Sequence, residues 1–488
     1  MKRVIAPLLA VAMVSLGVAP AFAVESSSQP EDVSAYFSQR VTWTPCGFMS
    51  CTTITAPLDW SAPKGAKISI ALNRHSATGT SHGALVVNPG GPGGSGLELA
   101  QGIAVGGTFS TLASNFDIVG FDPRGVGAST QVVCSSDPAT SSGIFDVSAT
   151  RGSAKWIAQQ RAAQKALGAE CLKNTGSLLA HVDTKSVARD LDLIRSVLGE
   201  SKLNYLGFSY GTSIGATYAE LFPNRVGRFV LDGAVDPALS SSRVTLNQAV
   251  GFENALRAYV TDCLRQYSCP FSGKTVRESM SWIRSTLDSA ESSPFLTSAG
   301  ESISSDMLVV AIVTPLYSKA SWPELSGLFR ALGSGNADSA AALMSDYWSG
   351  GANSAAVNHA VNCLDYPAPD SRPSTMARER AQLEAAAPTF GTFFAYSALN
   401  CSEWPFRSPT PRAPIHAHGA NLIVVVGTTN DPATPYSQAV ALAGQLDSSR
   451  LITLKGEGHT AYGQSACVQN AVDSYLVNGV APKKGLTC

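Results

Sequence analysis

Apolar residues along the chain fall into two regimes. From residue 40 to about 240, short apolar runs alternate with stretches of helical periodicity. Ile68–Asn73 and Ala84–Asn88 read as strands, the second running into the glycine-rich Pro89–Gly96. Phe116–Phe121 is a further strand. Ser186–Leu198 carries a helical stripe at Val187, Leu191, Ile194, Val197 and Leu198. Leu203–Gly207 predicts a strand, Thr212–Phe222 a helix and Arg228–Leu231 another strand. After Pro237 the strand rhythm stops. Residues 241–400 read as helical, with a stripe at Phe252, Leu256, Tyr259, Val260, Cys263 and Leu264. Strands return at Asn421–Gly427 and Arg450–Leu454.

Strands alternating with helices predict an α/β fold, a mostly parallel sheet with helices on both faces. The core spans 40–240 and 401–488, interrupted by a helical domain at 241–400. Residues 24–39 are rich in Ser, Glu and Gln and are expected to be flexible. The first residues are an address. Lys2 and Arg3 precede apolar Ile5–Val18, and Ala21-Phe22-Ala23 supplies small residues at a cleavage site. Residues 1–23 are therefore expected to be a signal peptide and the protein to be secreted, to the exterior or the cell envelope. A membrane anchor is the rival, but the run is short and contains Pro7 and Pro20.

Composition narrows the function. Lys and Arg number 35 against 36 Asp and Glu, so no basic field points to nucleic acid or to an anionic membrane surface. Ten cysteines in an exported chain point to disulfides. The simplest pairing is sequential: Cys46–Cys51, Cys134–Cys171, Cys263–Cys269, Cys363–Cys401 and Cys467–Cys488. Spacing leaves other connectivities open. Metal is the weaker reading, because no Cys-x-x-Cys occurs; neither metal nor cofactor is expected.

Gly207-Phe-Ser-Tyr-Gly211 is G-x-S-x-G between a strand and a helix. That context displays a serine on a sharp turn whose flanking glycines let strand and helix approach. Ser209 is the expected nucleophile, with Ser95 in Gly-Gly-Ser-Gly as its rival. A serine hydroxyl needs a base. Of seven histidines only His459 follows a late strand in a short loop, Gly456-Glu-Gly-His459. The base needs an orienting acid, and Asp431, in Gly427-Thr-Thr-Asn-Asp431, follows the preceding strand; Asp232 competes. The order Ser209, Asp431, His459 is that of α/β-hydrolases. Oxyanion donors would be the backbone N–H groups of Tyr210 and Gly91.

Asn88-Pro-Gly-Gly-Pro-Gly-Gly-Ser-Gly96, Phe121-Asp-Pro-Arg-Gly125, Gly207-Phe-Ser-Tyr-Gly211, Leu231-Asp-Gly233 and Gly427-Thr-Thr-Asn-Asp431 together resemble one family. It is that of the secreted tripeptidyl aminopeptidases of actinobacteria, relatives of the prolyl aminopeptidases in the α/β-hydrolase superfamily. The resemblance implies a serine exopeptidase acting on peptide or protein N-termini. It also implies that the helical insertion caps the site and holds the substrate's free amine. Asp365 and Glu403, which flank the Cys363–Cys401 bridge if that pair forms, are the candidate amine ligands. An esterase or amidase on the same fold is the alternative. A catalytically silent binding protein is the alternative of another class.

Overall fold

The computed structural model describes residues 33–134, 149–348, 351–408 and 412–488. The expected signal peptide, residues 1–23, lies outside them. Among the described residues ten strands form one sheet, in the order β1-β2-β3-β5-β4-β6-β7-β10-β11-β12. These are β1 Thr44–Cys46, β2 Met49–Pro57, β3 Lys67–His75, β4 Ala84–Asn88, β5 Asp117–Phe121, β6 Leu203–Phe208, β7 Val226–Asp232, β10 Ile423–Asn430, β11 Ser449–Glu457 and β12 Leu486–Thr487. Two-residue β8 (Phe295–Leu296) and β9 (Ser302–Ile303) pair with each other in the insertion. From β5 to β12 every neighbouring pair in the large sheet is parallel; β1, β2 and β3 are antiparallel additions at one edge. This is the α/β-hydrolase fold.

β4 and the first half of β10 are continuous apolar runs, Ala84–Val87 and Ile423–Val426, because both faces of the sheet are covered there. Along β10, Ile423 and Val425 enter one core, packed by Leu191, Ile194, Ile214 and Leu442 from helices Thr184–Val197, Tyr210–Leu221 and Tyr436–Gln445. Val424 and Val426 enter the opposite core, with Ile103 and Leu112 and with Val468 and Val472 of helix Ala466–Asn478. Residue alternation thus splits a single strand between two cores.

The insertion holds a third core. Leu256, Val260, Ile283, Leu287, Leu308, Ile312, Leu325 and Leu328 pack together from four helices, Ser241–Cys263, Val276–Ser292, Ser305–Leu316 and Trp322–Gly333. Helix Gly351–Asp365 instead sends Val357, Ala360, Val361 and Leu364 into the core of the sheet. The ten cysteines are bonded in sequence order: Cys46–Cys51, Cys134–Cys171, Cys263–Cys269, Cys363–Cys401 and Cys467–Cys488.

The expected flexibility of residues 24–39 does not extend to their last part. Ser34–Phe37 is a short helix, and Val33 and Tyr36 are buried in the sheet's core. The Gln39 amide donates to Thr55 O and accepts from Thr55 N, both at 2.8 Å, which ties this polar stretch to β2. Residues 24–32 lie outside the described residues.

Candidate active site

Three parallel strands end at the same edge of the sheet and each delivers one side chain. β6 leads into Ser209, whose φ of 53° and ψ of −125° are strained for a residue with a side chain. Its N–H donates to Asp232 O at 2.8 Å. The turn needs its glycines. A Cβ on Gly207 would lie 2.6 Å from Gly211 O, and one on Gly90 would lie 2.5 Å from Phe208 O and 2.8 Å from Tyr210 N. The glycine-rich loop after β4 therefore lies against the start of the helix that follows Ser209, which brings Gly91 and Tyr210 together.

β10 delivers Asp431, 2% exposed. Its carboxylate accepts from Ala433 N (3.0 Å), Thr434 N (2.9 Å), Thr434 Oγ1 (3.1 Å) and Thr460 N (3.2 Å). β11 leads into His459, whose Nδ1 lies 2.9 Å from both Asp431 oxygens. Burial disfavours charge on this imidazole, but the Asp431 carboxylate, by field and hydrogen bond, outweighs it and raises the pKa above the ordinary value. Among the described residues His459 Nε2 is buried without a hydrogen-bond partner, and His459 and Ser209 line the same cavity.

The two rivals have other employment. Ser95 caps helix Gly96–Val105, accepting from Glu98 N at 3.2 Å, and donates to Asp122 at 2.6 Å. Asp232 makes no hydrogen bond to His459 among those of the described residues. Its carboxylate accepts from Ala461 N at 3.0 Å and Tyr462 N at 2.7 Å, and so pins the loop beyond His459. Burial pushes its pKa up to about 6 against these bonds.

The cavity has two lobes. One, of about 410 Å³, holds Ser209, His459, Gly91, Pro92, Tyr317 and Asn358. The other, of about 280 Å³, shares Ser209 and extends to Asn362, Asp365, Tyr366 and Arg412. Asn358, Asn362 and Asp365 recur at helical spacing on one face of Gly351–Asp365. The Cys363–Cys401 bridge ties that helix to the chain that returns to the sheet.

Asp365 thus borders the cavity. It already accepts from Thr184 N at 2.8 Å and Thr184 Oγ1 at 2.5 Å, and that hydroxyl also bonds Tyr210 OH at 2.6 Å. Burial, stronger than the Thr184 bonds, pushes the Asp365 carboxyl up to about 6. Glu403 does not join it. Its carboxylate pairs with Arg161 Nη1 at 3.0 Å and lines neither lobe. Opposite charge close by draws the side chain away, and the two carboxylates expected together are separated.

Sequence reasoning missed Thr434 and Tyr317. The Thr434 hydroxyl touches both Asp431 and His459 Nδ1, the latter at 3.3 Å. Its signal was the turn Asp431-Pro-Ala-Thr434, where an aspartate accepts from N–H groups two and three residues on. Tyr317 stands edge-on to His459 and gave no local signal.

A family model described as TAP-like protein matches residues 387–488. The serine protease Hip1 of Mycobacterium tuberculosis is 36% identical over 92% of this chain and 91% of its own. Carboxylesterase B of the same organism is 35% identical, covering 90% and 86%. The tripeptidyl aminopeptidase of Streptomyces coelicolor is 32% identical, covering 90% and 83%.

Proposed function

The chain belongs to the TAP-like serine hydrolases of the α/β-hydrolase fold, and from that footing we propose that it is a secreted exopeptidase releasing short peptides, tripeptides foremost, from free N-termini. Secretion is supported by the apolar leader at residues 5–18 and by five disulfides. Among the described residues no helix is long and apolar enough to cross a membrane.

The reaction runs through Ser209. Its Oγ attacks the scissile carbonyl carbon while His459 Nε2 takes the hydroxyl proton. Asp431 holds Nδ1–H, fixes the tautomer and stabilises the imidazolium. The N–H groups of Gly91 and Tyr210 receive the oxyanion. Collapse breaks the C–N bond, and the leaving amine takes the proton from His459. Water, deprotonated by the same imidazole, then releases the acyl group and frees Ser209.

Exopeptidase selectivity comes from the capped groove. The observation that carries this reading is a cavity running from Ser209 and His459 to the Asp365 carboxylate at the end of the insertion helix Gly351–Asp365. An ammonium there forms charge-assisted hydrogen bonds. The carboxylesterase name of one relative supports the second reading, an esterase or amidase. A free-amine tripeptide anilide, its N-acetylated form and a short acyl ester separate the two. The exopeptidase cuts the first and loses several powers of ten on the second, since about 1.4 kcal/mol is tenfold. Equal rates on both anilides overturn it.

A further inference from the structure

Four consecutive backbone N–H groups hold the loop that carries His459, and they reach different parts of the molecule. Thr460 N donates to Asp431, and Ala461 N and Tyr462 N donate to Asp232, all in the sheet domain. His459 N donates instead to Tyr317 O at 2.7 Å, just past the insertion helix Ser305–Leu316. The approach is close enough that a Cβ on Gly458, which has φ +97°, would lie 3.0 Å from that oxygen. Glycine before the histidine is therefore a condition of the contact.

The rings repeat it. The Tyr317 ring lies 5.3 Å from the imidazole at 89°, edge to face, and is backed by Phe252 at 5.7 Å. Elsewhere around the imidazole the backbone of Gly233 is near: a Cβ there would lie 3.2 Å from His459 Cε1. Asp431 and the Thr434 hydroxyl both hold the Nδ1 side, and among the described residues Nε2 has no hydrogen-bond partner to fix the ring plane. Packing must stop the imidazole from swinging about its Asp431 contact.

Resting on the assignment of His459 as base, we propose that Tyr317 is a positioning residue by which the insertion holds the imidazole aimed at Ser209. The insertion is then more than a lid over the substrate. It supplies part of the frame of the base, and a cap that lifts also releases His459.

The test compares Tyr317→Ala and Tyr317→Phe in the full chain on a free-amine tripeptide anilide. In parallel it measures phosphonylation of Ser209 by a small alkyl fluorophosphonate, with fluoride as leaving group, which needs the base and the oxyanion donors but no peptide subsite. Tyr317→Ala should lower kcat and the phosphonylation rate together by about 10–100-fold with little change in KM, since displacement of a catalytic group by ~1 Å costs up to about 100-fold. Tyr317→Phe, which keeps the ring, should restore most of both rates. Should Tyr317→Ala fail to fold, Tyr317→Leu, which keeps bulk against Phe252, is read the same way. Unchanged phosphonylation with a raised KM makes Tyr317 a wall for substrate and overturns the inference. A wild-type chain that resists phosphonylation overturns the Ser209 assignment itself, and the inference with it.

Discussion

His459 Nδ1 stands 2.9 Å from each oxygen of the Asp431 carboxylate, a symmetric contact inside a ring of N–H donors. The contact stabilises the imidazolium and raises the pKa of His459. A general base works only when neutral, so activity rises as pH increases through that raised pKa. The acid limb of kcat/KM should fall above the ordinary imidazole value. Asp431→Asn should reduce kcat by about 10⁴-fold. Steady-state pH profiles of both proteins check this; an acid limb below the ordinary value contradicts it.

Ser209→Ala should remove roughly 10⁶ of kcat with the fold intact. Ser209→Gly should be equally inactive yet melt above Ser209→Ala, because glycine adopts the φ of 53° without the strain of about 1 kcal/mol or more that a Cβ carries there. Calorimetry of the two inactive variants reads the difference. The reverse order of melting temperatures would remove strain from the account of this turn.

Asp232→Asn should cost far less in turnover than Asp431→Asn, since Asp232 holds the loop beyond His459 rather than the imidazole. It should also change how stability depends on pH. The folded carboxyl titrates at about 6 against an ordinary 3.8, so between those values the folded chain keeps a proton that the unfolded chain has released. Asp232 therefore contributes stability that is full below 3.8 and is lost as pH rises through about 6. Denaturant midpoints from pH 3 to 7 should show that loss in the wild type and a smaller one in Asp232→Asn, the remainder coming from Asp365, whose carboxyl burial also pushes up to about 6. Parallel curves would rule the titration out.

Asp365→Asn should weaken free-amine substrates and spare a short acyl ester. Glu403→Gln should leave both rates unchanged, because Arg161 already pairs with Glu403 away from the cavity. A selective loss on free-amine substrates in Glu403→Gln would return it to the amine site.

The places of Ser209, Asp431 and His459 at strand ends are legible in the sequence because each signal is local: an apolar run, then a short turn of small and polar residues. Ala84–Asn88 is likewise read from its own residues. What the sequence withholds are contacts between distant segments. Asp232 reaches Ala461 across 229 positions, and Tyr317 meets His459 from another domain. Glu403 is misplaced for a related reason. Its closeness to Cys401 suggests the company of Asp365, but a disulfide fixes two Cα atoms and not the direction of side chains two residues further on. The helix Ser34–Phe37 escapes notice because two apolar anchors, Val33 and Tyr36, are too few for a periodic pattern.

The pairing of β7 with β10, which sets Val426 beside Asp232, also bears on how the chain assembles. Asp431 and His459 are only 28 positions apart and meet within one strand–helix–strand unit. Ser209 joins them only when β7 finds β10 across the whole insertion. As an open loop of roughly 190 residues, that closure would cost on the order of 5 kcal/mol of chain entropy. The insertion has its own core, and a compact insertion replaces most of that open loop with a shorter effective link between the two strands. The segment that covers Ser209 therefore also sets the chain-entropy cost of bringing the nucleophile to its base.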